Sequence, residues 1–145
     1  VLRHKWFVFL AGRRVRIGLW LRITHDLSKF LPCEFAPYAR LYCGERRGEP
    51  DFDYLNAWLH HQNHNKHHHQ YWVLRNRENE VLPMPEIYIR EMIADWLGAS
   101  RAYTGSWDAT EWIRQNIDDM AFEFGTLKRV FAILREIDID LEDEL

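Results

Sequence analysis

The chain has 145 residues, 47% of them hydrophobic, and a formal net charge of −3. That length suits one domain, residues 1–145, able to bury about two-thirds of its unfolded surface. Seven Trp, six Tyr and eight Phe exclude a disordered chain, and the slightly acidic balance argues against a dedicated nucleic-acid binder.

Leu2 to Arg22 reads as one helix with a break or as two short ones, because Gly12 and Gly18 interrupt the apolar pattern and glycine weakens a helix interior. The segment from Arg3 to Arg22 contains six Lys or Arg and no acid. Such a stretch is either a solvated helix face or a patch that attracts phosphate. Thr24-His25-Asp26 lies near the start of a second short element, which Pro32 is expected to end. Pro37 and then Gly44 to Pro50 read as a loop. Asp51 to Trp72 is the next helix candidate, with Phe52, Leu55 and Leu59 as its apolar stripe.

Glu78 to Pro85 reads as a connection. Pro85 then opens a helix through Leu97, with Gly98 just past its end. Asp108 and Glu111 resemble a capping box for a helix bearing Trp112, Ile113, Ile117 and Met120. Thr126 to Ile137 completes the set, and an acidic segment, 136–145, closes the chain. The pattern predicts an all-α domain of roughly five or six helices and no strand.

Cys33 and Cys43 match no zinc or redox motif and are expected as free thiols. The apolar run from Trp6 to Leu10 is too short to span a bilayer. Arginines at 13, 14 and 16 stand where a signal peptide would carry small residues. Cytoplasmic placement without a membrane partner is therefore expected. The chain opens on Val rather than Met, and a native start upstream or at an alternative codon is the expectation.

Eight histidines all fall in the first half of the chain, six of them between His60 and His69. Imidazole suits Zn, Fe or Ni, and carboxylate also suits Mg and Mn. The adjacent His25 and Asp26 could share one divalent ion. On a continuous helix His61, His64 and His68 fall within about 60° of one another, and so do His60, His64 and His67. The apolar stripe lies nearly opposite the first trio and nearer the second, so periodicity alone leaves open which trio meets a metal. Glu34 stands either beside a ligand or exposed before Phe35.

His4, the His25-Asp26 doublet, the histidine cluster and Asp95 follow one another in an order that resembles the HD-domain superfamily of metal-dependent phosphohydrolases. The resemblance implies an all-helical fold with His4, His25, Asp26 and Asp95 as metal ligands, and His61 and His68 as the added ligands of a two-metal site. Lys29, in His25-Asp26-x-x-Lys29, corresponds to a lysine that contacts a phosphate oxygen. Here the middle histidines crowd into ten residues, whereas in the superfamily they come from separated helices.

A closer resemblance, spanning Arg3 to Leu97, is to an uncharacterised bacterial and phage family. Its pattern appears here as His25 to Phe30, Glu34-Phe35-x-Pro37-Tyr38, Ala57-Trp58, His60-His61, Asn65, His67-His68 and Tyr71-Trp72. This favours His61, Asn65, His67 and His68 over His64 and His69.

Together these resemblances imply a phosphohydrolase acting on a nucleotide or other small phosphoester. Its cofactor would be one or two divalent ions: Mn, Fe, Zn, Co or Mg. Asp26 would orient a metal-bound water, while Lys29 and an N-terminal arginine offset charge on the phosphate. The rival expectations are an HD-fold di-iron oxygenase with Tyr38, Tyr71 and Trp72 lining its pocket, and a non-catalytic, metal-stabilised binding protein.

Overall fold

Helix α1 (Leu2–Arg14) and helix α5 (Glu86–Thr104) form the most extensive contact among the described helices, and α7 (Phe124–Glu136) also packs against α5. The computed structural model describes residues 1–44, 48–76 and 78–141. The remaining helices are α2 (Leu19–Thr24), α3 (Pro32–Cys43), α4 (Phe52–His64) and α6 (Thr110–Asn116). Short 3₁₀ turns cover Leu27–Phe30, His69–Trp72 and Ile117–Asp119. The one β element among the described residues is an isolated antiparallel bridge between Val73 and Val81. The domain is all-α, as expected, with seven helices among the described residues.

Val8 and Ala11 of α1 with Val15 at its C-cap, Ile89, Ile93 and Leu97 of α5, Ile113 of α6 and Val130, Ile133 and Leu134 of α7 form one sealed core. Each large aliphatic of this set contributes about 1.5–3 kcal/mol by leaving water. Helices α3 and α4 pair with each other beside this core. The 3₁₀ turn at Leu27–Phe30 touches both of them, so the His25-Asp26 doublet sits at the junction of the core and the α3–α4 pair.

Several boundaries differ from the sequence expectations. Pro32 does not end an element; it occupies the first turn of α3, where its missing N–H costs nothing. Pro37 lies inside that helix rather than in a loop. Gly98 does not stop α5, which runs to Thr104 and is closed by Gly105 with φ 80°. A Cβ on Gly98 would lie 2.5 Å from Val8 Cγ2 and 2.6 Å from the Val8 backbone N, so this glycine allows α1 and α5 to touch. Helix α6 is capped one residue later than the Asp108–Glu111 pattern suggests, at Ala109, while Asp108 Oδ1 accepts from the Thr110 N–H at 2.9 Å.

The largest departure is α4. It stops at His64 because Asn65 is extended (φ −114°, ψ 110°) and turns the chain. The Phe52, Leu55 and Leu59 stripe faces solvent, at 77%, 55% and 42% exposure, while Ala57 and His61 face inward. Arg14 donates to the Ile137 carbonyl, and Arg22 donates to the Phe9 carbonyl while lying over its ring. Both guanidinium groups are thus engaged by backbone carbonyls of the first and last helical segments. Of the acidic segment, residues 142–145 lie outside the described part.

Candidate metal centre

The doublet is shaped by its backbone. Helix α2 ends at His25, and Asp26 takes a left-handed conformation, φ 56° and ψ 28°. Among non-glycine residues, aspartate is one of the few that visit this region routinely. The reversal lets His25 and Asp26, each 2% exposed, both point inward. Lys5 of α1 clamps the turn from behind, donating to the Ile23 carbonyl at 2.8 Å and to the His25 carbonyl.

Two groups of ligand-type atoms meet at Asp26. In the first, His4 from α1, His25, Asp26 and Asp95 from α5 each offer an atom, all within 4.8 Å of one another. His25 Nε2 lies 3.4 Å from Asp26 Oδ2 and 3.4 Å from Asp95 Oδ1, and His4 Nε2 lies 2.8 Å from Asp95 Oδ1 and 3.8 Å from Asp26 Oδ2. In the second, Asp26 meets His61, His67 and His68, again within 4.8 Å. Here the other carboxylate oxygen is used: Asp26 Oδ1 is 3.3 Å from His61 Nε2 and 3.4 Å from His67 Nε2.

These spacings suit ions. Ligands bound at about 2.1 Å stand about 3.0 Å apart at a right angle and about 3.4 Å apart at the tetrahedral angle. The hydrogen-bond accounting agrees. Among the described residues, ten buried side-chain N or O atoms have no hydrogen-bond partner, and eight of them belong to His4, His25, Asp26, His61, His67, His68 and Asp95. Each such atom costs about 1–3 kcal/mol when left unpaired, so a cation that accepts their lone pairs removes a concentrated penalty. His4 Nε2 and Asp95 Oδ1 approach to 2.8 Å, as two ligand atoms turned towards one ion position would. The residues therefore fit one or two divalent metal ions.

The opposite nitrogens are held from outside. Glu91 Oε1 lies 3.0 Å from His25 Nδ1 and Glu34 Oε2 lies 2.9 Å from His61 Nδ1. Ser28 Oγ donates to Glu34 Oε2 at 3.1 Å, and Asn65 Nδ2 donates to Ser28 Oγ at 2.7 Å and to the His61 carbonyl at 2.9 Å. Carboxylates at Nδ1 fix the ring and leave Nε2 as the lone pair facing the ion.

The centre gathers four buried or half-buried carboxylates, Asp26, Asp95, Glu34 and Glu91, and Lys29 Nζ lies 2.5 Å from Asp26 Oδ2. Burial opposes ionisation of Asp26 and Asp95. Neighbouring imidazoles, and Lys29 beside Asp26, more than offset it and hold both carboxyls well below their ordinary range. Burial also opposes charge on His25, yet Asp26, Asp95 and Glu91 together push it up to about 10. His68 moves the other way: burial and the nearby His67 hold it well below its usual value, in the neutral form that ligates.

His4, His25, Asp26, Asp95, His61 and His68 thus each stand in one of the two groups, His60 and His64 of the helical trios stand in neither, and Lys29 lies at the shared carboxylate. His61 and His68 do not meet as neighbours on a helix face. They meet because the turn at Asn65 folds His67 and His68 back over His61, with ring centroids of His61 and His68 4.8 Å apart. His67 belongs in the second group. The family-type pattern marked it, whereas the angular argument, which assumed a longer helix, grouped it with His60 and His64 rather than with His61 and His68. Glu91 had no sequence signal beyond its place one turn before Asp95.

Glu34 is fully buried rather than exposed. His64 is exposed and bonds the His60 carbonyl, and His69 accepts from the Ala121 N–H. Of the aromatics suggested as pocket lining, Tyr38 packs edge-on against His61. Tyr71 is exposed against Trp72, which packs on Tyr88. Cys33 and Cys43 are free thiols, and no described helix is long and apolar enough to cross a membrane.

The chain belongs to a family of unknown function (DUF5662), whose model matches residues 1–136. No curated protein and no solved structure is significantly similar to it.

Proposed function

We propose that the protein is a metal-dependent phosphohydrolase of HD-domain type, acting on a nucleotide or another small phosphoester through two divalent ions. The observation that carries this reading is the division of Asp26, with Oδ2 turned to His4 and His25 and Oδ1 to His61 and His67. A carboxylate shared in this way suits a two-metal centre. The chain order of His4, His25-Asp26 and Asp95 parallels the ligand order of that superfamily, and the middle histidines parallel its second set.

When bound, divalent ions supply Lewis-acid charge at a phosphoryl oxygen and a water acidified towards neutrality. The protein supplies the rest. His4, Lys29 and Asp95 keep 13%, 15% and 18% of their side chains exposed, whereas His25, Asp26, His61 and His67 are sealed. A phosphate therefore approaches from the His4–Lys29–Asp95 side. The Lys29 ammonium is placed to offset charge developing on a phosphoryl oxygen. Glu34 and Glu91 hold the imidazoles still while that charge develops.

The test is metal-stripped protein reloaded with Mn²⁺, Co²⁺, Zn²⁺ or Fe²⁺ and offered nucleotides and simple phosphoesters. Phosphate release that requires the ions supports the proposal. Lys29→Met should keep the ions and lower kcat/KM by about 100-fold, the scale of losing one charge-stabilising donor. Turnover that survives complete metal removal would refute it.

The donor set, five histidines with Asp26 and Asp95, also suits iron, so di-iron oxygen activation is the second reading. Iron in the protein as isolated, with substrate-dependent oxygen uptake, would favour it. Bound ions without either activity would leave a metal-stabilised binding protein.

A further inference from the structure

Glu91 lies on the buried face of α5, 4% exposed. Its Oε1 is 3.0 Å from His25 Nδ1 and 3.5 Å from His67 Nδ1. These two imidazoles belong to different ion positions, His25 to the group with His4 and Asp95, and His67 to the group with His61 and His68. Their ring centroids are only 4.5 Å apart. Glu34, the sealed glutamate of α3, reaches His61 at 2.9 Å and His60 at 2.6 Å. His60 is in neither ion group, so Glu34 serves the second position alone.

We propose that Glu91 is a positioning residue common to both ion positions, so that its loss weakens the two ions together while loss of Glu34 weakens only one. The proposal rests on the two-metal reading above. A carboxylate at Nδ1 sets the tautomer that leaves Nε2 free, fixes the ring plane and raises the basicity of the ligating nitrogen. One oxygen of Glu91 does this for a ligand of each ion. Asp26 links the two positions from the ligand side, and Glu91 links them from behind the imidazoles.

The proximity of His25 Nδ1, His67 Nδ1 and Glu91 also matches the geometry of a small ligand group of its own. An ion there would need both Nδ1 atoms deprotonated while their Nε2 atoms serve the other two positions. The hydrogen-bonding role requires no such double loss of protons, and it is the one we adopt.

The experiment is a Mn²⁺ titration of the metal-stripped full chain, followed by calorimetry and by electron paramagnetic resonance, on wild type, Glu91→Ala, Glu91→Gln and Glu34→Ala. Wild type should take up two ions. Glu91→Ala should lower both affinities by about 10–100-fold, the usual cost of losing a carboxylate behind a ligating histidine. Glu91→Gln keeps an acceptor oxygen and loses the charge, so both affinities should fall by a smaller factor. Glu34→Ala should lower one affinity and spare the other. Thermal unfolding of the metal-free variants separates these effects from misfolding, and Glu91→Gln decides the matter if Glu91→Ala does not fold. Two wild-type ions with only one, or neither, weakened in the Glu91 variants would overturn the proposal and leave the metal centre standing. A third wild-type ion lost alone in those variants would make Glu91 a ligand instead. Fewer than two wild-type ions would reject the two-metal reading itself and this proposal with it.

Discussion

Replacing Gly98 by alanine tests whether the α1–α5 contact holds the first ion position together. The new Cβ would stand 2.5 Å from Val8 Cγ2, 2.6 Å from Val8 N and 2.9 Å from Val8 Cα. Two of these atoms are backbone, so no rotamer change relieves them. Reaching an ordinary separation of about 3.5 Å requires α1 to retreat by about 0.9 Å. Overpacking of this kind costs about 1–3 kcal/mol, and a rigid backbone neighbour places this site near the upper end. Alanine returns about 1 kcal/mol of helix propensity. The net loss is about 2 kcal/mol, or about 4–8 °C in Tm for a chain of this size.

The same retreat acts on the site. His4 lies on α1 four residues before Val8, and Asp95 lies three before Gly98, with 2.8 Å between His4 Nε2 and Asp95 Oδ1. The variant should therefore lose affinity at the position that uses His4 and Asp95 and keep it at the position that uses His61, His67 and His68. Urea denaturation of the metal-free protein and Mn²⁺ titration of the folded protein measure the two effects separately. A Gly98→Ala protein as stable as wild type, with both affinities unchanged, would refute the argument.

Removal of the shared carboxylate should be the most damaging single change at the centre: Asp26→Ala is expected to abolish both ions by elemental analysis. His68→Ala should lose only the second, and His64→Ala and His69→Ala should retain two, since His64 is exposed and His69 is engaged with Ala121. A separate expectation concerns acid stability. Arg129 and Arg90 hold the Glu86 carboxyl down to about 2, below its unfolded value near 4.5. Its contribution is therefore present above pH about 4.5 and lost as the pH falls from there towards 2. Glu86 is half exposed, so water screens the effect to below about 1 kcal/mol. Denaturation of metal-free wild type and Glu86→Gln should differ at pH 7 and converge towards pH 2, and a difference that grows with acidity would contradict the assignment.

Helical class was legible because apolar residues recur at helical spacing in most segments and because glycine and proline punctuate them. The exceptions have definite causes. Gly98 carries the signature of a helix end, yet its missing side chain serves a helix crossing at Val8. Nothing local distinguishes those two uses. Pro37 signalled a loop but is buried within α3.

Helix α4 is the sharper case. Its most apolar stripe, Phe52, Leu55 and Leu59, is the exposed one, and its inward side carries a histidine. Periodicity identifies a face but not what the face meets. A face that buries His61 is stable here because Glu34 takes Nδ1 and Asp26 stands before Nε2. Those partners are more than twenty residues away in sequence.

By itself the sequence determined the all-helical class, the free cysteines and the set of imidazole and carboxylate side chains from which a centre could be built, because these follow from composition and short-range spacing. Only the tertiary structure decided that Asp26 divides its two oxygens between two groups, that the turn at Asn65 folds His67 and His68 over His61, and that Glu91 stands behind one histidine of each group. Those relations join helices α1, α4 and α5 to the turn after α2. They depend on how those helices pack around one point, and no periodicity within a single segment encodes that.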